Sequence, residues 1–271
     1  MTNNKSYFKV LNKDLEHMMG FATAFAVTAG NEIKKDIKIG MKAKRKSDGS
    51  PITESDVKIN TMLIEAIRKE FPTHDIMAEE GSYLKNKSKY RWICDPIDGT
   101  IVFSHGVPTC AFSISLTKEG VPILGVVRDP FMDRTYRAIL GNESYLNSEK
   151  ISVSNDNELK GAVIGLSYWN GAQYSLSKLH SKLIEAGAAV LMLGSIVYMG
   201  AMVASGELAA SIHPARFSYD SAALKVIVSE AGGTVTDLDG NDQRYDKKIN
   251  GAVMSNGKLH KSIIDMIRRY S

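Results

Sequence analysis

The chain has 271 residues, 44% of them hydrophobic, with 34 Lys and Arg against 30 Asp and Glu for a formal charge of +4. That length and apolar share support a large folded core and exclude a disordered chain, while so small a charge excess does not mark a nucleic-acid-binding surface. The two cysteines, Cys94 and Cys110, lie in apolar segments, which excludes a disulfide scaffold and indicates reduced core thiols.

The first residues, Met1-Thr2-Asn3-Asn4-Lys5, are polar and lack the apolar run of a secretion signal, so the expected compartment is the cytoplasm. Leu11, Leu15, Met18, Met19, Ala22, Phe25 and Ala26 predict an amphipathic helix that Gly30 helps to end. A strand containing Ile37 and Ile39 is expected next. The basic run Lys42-Ala43-Lys44-Arg45-Lys46 reads as a solvated loop, with attraction of an anionic substrate to a nearby site as the alternative. Lys46-Ser47-Asp48-Gly49-Ser50-Pro51 has the composition of a turn. Thr53 is placed to cap a second helix towards Glu70, with Val57, Met62, Leu63, Ala66 and Ile67 on its apolar face and Pro72 beyond its end.

Short central strands are predicted at 76–78 and 90–94, which puts Glu79 and Asp95 at strand ends. Further strands are predicted at 110–116, 123–127 and 135–140, the last leading into the turn Gly141-Asn142-Glu143. The second half opens with a strand near 162–166 and a helix near 174–186. Residues 186–206 carry no formal charge, long enough to suggest a membrane span, but Gly187, Gly194, Ser195, Gly200, Ser205 and Gly206 interrupt them. A buried strand and helix joined at Gly194-Ser195 account for the segment better. Asp220 opens a helix with Ala222, Ala223, Leu224, Ile227 and Val228, and Gly232-Gly233 ends it. Residues 234–237 extend to a turn at Asp239-Gly240, and a last helix carries Leu259, Ile263, Ile264 and Ile267. The mixture predicts a layered α/β architecture without internal repeats.

Chemistry concentrates in Asp95-Pro96-Ile97-Asp98-Gly99-Thr100, preceded by Glu79-Glu80. Carboxylates suited to hard cations meet a glycine turn that exposes N–H groups, and a hydroxyl. That set suits magnesium-assisted attack of water on a phosphate ester. A tight turn at Pro96-Ile97 would aim Asp95 and Asp98 inward, with Glu79 a third ligand and Asp220 a distant fourth. The N–H groups at Gly99 and Thr100 would bind phosphate, the Thr100 hydroxyl would orient water, and Gly194-Ser195 offers a second anion-binding turn. Plainer readings stand beside these. Asp220 as a helix cap, Asp95 and Asp98 as turn acceptors, Glu80 as a solvent-facing residue or a support for Glu79, and Cys94 as a core thiol all need no catalysis.

In these motifs the sequence resembles the inositol monophosphatase family of magnesium-dependent, lithium-sensitive phosphatases. Glu79-Glu80 matches its acidic pair and Asp95-Pro96-Ile97-Asp98-Gly99-Thr100 its DPIDGT motif. Tyr219-Asp220-Ser221-Ala222-Ala223 resembles its W-D-x-A-A segment with Tyr219 in place of tryptophan. Phe103-Ser104-His105-Gly106-Val107-Pro108 and Asn256-Gly257-Lys258-Leu259-His260 also follow the family pattern, so the likeness spans nearly the whole chain. It implies an α-β-α-β-α sandwich, read here as one phosphatase domain, 1–271, with a metal-site lobe at 1–150 and a second lobe at 151–271. It also implies Mg²⁺ held by Glu79, Asp95, Asp98, Asp220 and the Ile97 carbonyl. Glu79 and Thr100 would serve catalysis, with Asp48 or Thr53 supporting Thr100. Gly99, Thr100, Gly194 and Ser195 would lie against the substrate, as would Asp98 and Asp220. A homodimer acting on a small phosphorylated metabolite is expected, without a nucleic-acid polymer or a membrane as partner.

The substrate is less marked. The family generally has Glu where this chain has His213, which offers no carboxylate for hydroxyls, and Arg216 would favour another anionic group. Inositol phosphate leads, followed by histidinol phosphate, a sugar bisphosphate and phosphoadenosine phosphate. A noncatalytic phospholigand-binding protein is the alternative of a different class.

Overall fold

The computed structural model describes residues 4–38, 43–46 and 51–270, with side chains from residue 13 onward. Ile39, Asp48 and the rest of the 47–50 turn lie outside the described residues. Helix α1 (Asn4–Asp36) buries Met19, Ala22, Phe25, Ala26, Ala29 and Ile33 along one face, the spacing of three and four that a helix requires. It does not end at Gly30 as the sequence suggested. A Cβ there would stand 3.0 Å from Arg128 Cγ and 3.3 Å from Pro130 Cβ, so the glycine admits a close neighbour within the helix. Ile37 closes the last turn, its N–H donating to the Ile33 carbonyl at 3.0 Å, and is not in a strand.

A short antiparallel pair, β1 (Lys44–Arg45) and β2 (Pro51–Ile52), leads to helix α2 (Glu54–Glu70). Thr53 caps α2 as predicted, in a reciprocal capping box with Asp56. Seven strands then follow in chain order: β3 (Asp75–Ala78), β4 (Tyr90–Asp98), β5 (Ala111–Lys118), β6 (Val121–Asp129), β7 (Arg134–Ile139), β8 (Ser144–Leu146) and β9 (Glu149–Lys150). They form one sheet in that order, with β3 parallel to β4 and every later pairing antiparallel.

The second sheet has five strands in the order β11 (Ala189–Leu191), β10 (Val163–Leu166), β12 (Ala210–His213), β14 (Ala252–Ser255) and β13 (Thr234–Thr236). Strands β12 and β14 were not anticipated. Each has four residues, all buried, so neither shows the alternation that marks a half-exposed strand.

The remaining helices are α3 (Thr100–Ser104), α4 (Ser177–Glu185), α5 (Ile196–Ala204), α6 (Ala222–Glu230) and α7 (His260–Tyr270). Helices α1 and α2 cover one face of the large sheet, while α5 and α6 lie between the sheets. Helices α4 and α7 cover the far face of the small one. The result is the expected α-β-α-β-α sandwich. The uncharged segment 186–206 resolves into β11 and α5, and among the described residues no helix is long and apolar enough to cross a membrane.

The middle layer fits without slack. At Gly125 on β6, a Cβ would lie 2.3 Å from the Ala223 carbonyl oxygen of α6. Backbone cannot withdraw as a side chain can, so Gly125→Ala is expected to destabilise the protein by about 1–3 kcal/mol. A lower urea midpoint at unchanged slope is the result that checks it.

Candidate active site

Asp95 and Asp98 both lie on β4. In a regular strand, residues three apart point to opposite faces of the sheet. Here the pairing with β5 shifts register between them: Asp95 lies opposite Ser113 and Asp98 opposite Ala111, three steps against two. The extra residue is a β-bulge, which returns Asp98 to the face Asp95 occupies. The sequence suggested a tight turn at Pro96-Ile97; the structure achieves the convergence within the strand.

Glu79 follows β3, whose parallel register sets Ala78 beside Cys94, and its N–H donates to the Cys94 carbonyl at 3.2 Å. Asp220 arrives from the other half of the chain, on a single 3-10 turn (Ser218–Asp220) just before α6. Carboxylate oxygens of Asp95, Asp98 and Asp220 lie within 4.8 Å of one another, and all three residues are buried.

Electrostatics follow from that crowding. Burial, then the charge of Glu79, then Asp98 and Asp220, raise the Asp95 carboxyl well above the usual carboxylate range. Asp220 is raised well above it too, by burial and then by Asp98 and Glu79. Asp98 is raised to about 6, burial outweighing donation from Ser195 and from the Val197 N–H, the latter at 2.7 Å. Burial also holds the Cys94 thiol well above its ordinary value, which suits a core thiol and not a nucleophile.

The described part of the basic run is not simply a solvated loop, since it reaches the acidic pair. Lys46 Nζ lies 2.7 Å from Glu79 and 2.6 Å from Glu80, and Arg45 lines the neighbouring cleft. Burial opposes the Lys46 charge, but the two glutamates outweigh it and push the ammonium up to about 12. Glu80 does not face solvent. Burial raises it to about 7.

The two glycine turns meet. Gly99 has φ +93° and Gly194 φ +81°, conformations that favour glycine. A Cβ on Gly99 would lie 3.0 Å from Ser195 Cβ and 3.2 Å from the Gly194 carbonyl, so the loops are in contact. Ser195 caps α5, its hydroxyl accepting from the Tyr198 N–H at 3.0 Å and donating to Asp98. The Ser195 hydroxyl therefore serves a protein carboxylate, while Gly194 lines the cleft. Thr100 Oγ1 donates to the Ile97 carbonyl at 3.2 Å, bringing together two predicted site groups.

Thr53, expected to support Thr100, instead donates its hydroxyl and its N–H to Asp56 Oδ2, the latter at 2.8 Å. Asp56 is the residue the sequence reading missed. It is fully buried, its Oδ1 has no partner among the described residues, and burial raises it to about 6 despite those Thr53 bonds. Its charge is felt at Asp95 and Glu80. The signal was present as the spacing Thr53-x-x-Asp56, of which the sequence reading used only the Thr53 cap.

Beside the cluster opens a cleft of about 730 Å³, with Asp98, Gly194 and Ile196 on its wall and Trp169, Met192 and Phe217 around it. His213 and Arg216 are not among its lining residues. His213 ends β12 fully buried, its Nδ1 accepting from the Ala215 N–H at 3.3 Å, and Arg216 faces a different cavity.

A site of three buried carboxylates with only oxygen donors fits a hard divalent cation, because among the described residues no cationic side chain pairs with any of the three. Fold and site together define a phosphatase with a metal-ion site. A model of the inositol monophosphatase family matches residues 14–271, and the chain belongs to that family. It is 34% identical over 220 residues to a Thermotoga maritima fructose-1,6-bisphosphatase/inositol-1-monophosphatase, covering 80% of this chain and 82% of the relative. It is 30% identical over 266 residues to the Nus factor SuhB of Pseudomonas aeruginosa, covering 94% and 97%. Among solved structures, a Thermotoga maritima IMPase superimposes with a TM-score of 0.86 at 29% identity, covering 93% of this chain and 97% of that one.

Burial lowers the His213 imidazole to about 3. The unfolded chain therefore binds a proton between its ordinary value and pH 3 that the folded chain refuses, so stability falls as pH drops through that window. The slope is about 1.4 kcal/mol per pH unit for one proton. Comparing chemical denaturation of the wild type and His213→Asn from pH 7 to 4 checks this; the variant should lack that one-proton slope.

Proposed function

We propose that the protein is a magnesium-dependent phosphomonoesterase acting on a small phosphorylated metabolite, with inositol phosphate as its leading substrate. The observation that carries this reading is the Asp95, Asp98 and Asp220 cluster at a cleft large enough for a metabolite. Glu79, Asp95, Asp98, Asp220 and the Ile97 carbonyl would hold the ions, as family membership supports. When bound, magnesium would neutralise these carboxylates and lend Lewis acidity to phosphate and water.

The chain's own groups supply the rest. The Thr100 hydroxyl keeps lone pairs free to orient the attacking water, and the N–H groups at Gly99 and Thr100 bind phosphate. Asp56 Oδ1 takes the water's proton; its range near 6 suits a general base at neutral pH, and Thr53 holds it in place. Asp48 is an alternative support for the Thr100 hydroxyl. A P–O bond to water forms as the bond to the ester oxygen breaks, and that oxygen takes a proton from solvent. We also propose, on family membership alone, a homodimer, lithium inhibition and a cytoplasmic location.

A second substrate reading rests on the cleft wall. Trp169, Met192 and Phe217 stay 43–49% exposed around it, an apolar rim that suits a flat organic group better than a polyol. Phosphoadenosine phosphate fits that rim, with the same hydrolytic chemistry.

Phosphate release from inositol 1-phosphate, histidinol phosphate, fructose bisphosphate and phosphoadenosine phosphate, each across a magnesium titration, tests the reading. Turnover should require magnesium, and Asp95→Asn should lose most of it at every concentration; full activity in D95N would remove the assignment. Asp56→Asn should lower kcat by about 10²–10⁴-fold with KM little changed. If the aromatic rim holds a base, Trp169→Ala should raise KM for the adenosine substrate about tenfold, equivalent to ~1.4 kcal/mol, and spare inositol phosphate.

A further inference from the structure

A second cavity, of about 640 Å³, lies behind the segment that carries Asp220. Arg216, Lys225, Arg244, Lys247 and Lys248 line it, against two carboxylates, Asp237 and Asp242. Those carboxylates have other work. Asp242 pairs with Lys225 at 2.7 Å, and Asp237 Oδ1 accepts the N–H groups of Asp239 and Asn241 at 2.9 and 2.7 Å. Arg244 pairs with Asp246 at 2.5 Å. Among the described residues no ion pair joins Arg216, Lys247 or Lys248, and all three are exposed at this one cavity. Five cations against two carboxylates on the wall, with three of the cations in no ion pair among the described residues, leave a positive cavity suited to an anion.

The cavity is also tied to the active site. The Ile249 N–H donates to the Arg216 carbonyl at 3.0 Å, the Gly251 N–H to the Ala215 carbonyl at 2.9 Å, and the Ser218 hydroxyl to the Lys247 carbonyl at 3.2 Å. Residues 247–251 are thus laced to residues 215–218. Within that second segment Arg216 faces the basic cavity, the next residue, Phe217, lines the catalytic cleft, and Asp220 enters the carboxylate cluster.

We propose that this cavity is an effector site for a multiply phosphorylated small molecule, whose binding shifts the 215–220 segment and so alters turnover. Several cations lining one open cavity suit several phosphate charges on one compact ligand better than a single phosphate. The coupling is reciprocal: a ligand that moves Asp220 changes magnesium affinity, and magnesium changes affinity for the ligand by the same factor.

Inorganic triphosphate is the probe. In the full chain freed of metal by EDTA, the carboxylate cluster repels it, so calorimetry should report one site belonging to the basic cavity. The exposed pair Lys247→Glu/Lys248→Glu should weaken that binding by about tenfold or more, with Lys69→Glu on α2 as an unaffected charge control and circular dichroism confirming the fold. With free magnesium held constant, triphosphate should change KM or kcat in the wild type and lose that effect in the double variant. Competition at the carboxylate cluster would persist in the double variant and would overturn the proposal. Absence of binding, binding indifferent to the charge reversal, or saturation without any change in turnover would overturn it as well. Affinity that grows with oligonucleotide length beyond what the cavity can hold would assign the surface to a nucleic acid instead.

Discussion

Setting three carboxylates within 4.8 Å of one another, all buried, is unfavourable on two counts. Each loses its hydration, and each repels the others in a medium that screens poorly. The protein offsets only part of this. Asp98 receives a hydroxyl and an N–H at the N-terminal end of α5, where the helix dipole favours negative charge, and Asp95 receives the Ile97 N–H at 3.0 Å. Asp220 accepts no side-chain donor among the described hydrogen bonds. Such a cluster has the donor set of a cation site, and a bound cation would relieve the repulsion that burial imposes on it.

Charge around the cluster is arranged to the same end. Lys46 reaches Glu79 and Glu80 from the segment leading into β2, so the acidic pair has a positive partner supplied by a neighbouring loop. An ammonium is a point charge on a long stem and withdraws more readily than a cation held by several ligands. The cluster itself receives no such partner. The protein therefore divides its carboxylates between one that a side chain also neutralises, Glu79, and three that none does.

Much of this was legible in the sequence. The Asp95–Thr100 motif, the acidic pair and Asp220 could be read because oxygen-rich chemistry demands those residue types, whatever the fold around them. The α2 cap at Thr53 and the division of segment 186–206 into strand and helix were equally readable, since both rest on local rules. What escaped was set by contacts distant in the chain. Gly30 looked like a helix end because nothing nearby in sequence announces Arg128 and Pro130 beside it. Strands β12 and β14 are buried on both faces and carry no period. Asp56 was passed over because a lone carboxylate in the first turn of a helix is ordinary, and only its burial and unpartnered oxygen in the folded chain point to a further use. His213 and Arg216, three residues apart in sequence, part company where the chain leaves β12, one into the core and one to a separate cavity.

The bulge in β4 turns the spacing of the motif into a condition of parity. Cys94, Ile97 and Phe112 belong to the core beneath α1, on the sheet's other face from the cluster. Removing or adding one residue between Asp95 and Asp98 would leave a strand still able to pair with β5, yet would swing one carboxylate among those apolar side chains. A change of two residues would restore the face but carry the carboxylate about 7 Å along the strand, out of reach of its partners. Two aspartates separated by two residues are thus one arrangement that satisfies sidedness and distance together, and the chain on either side can vary far more freely than the interval between them.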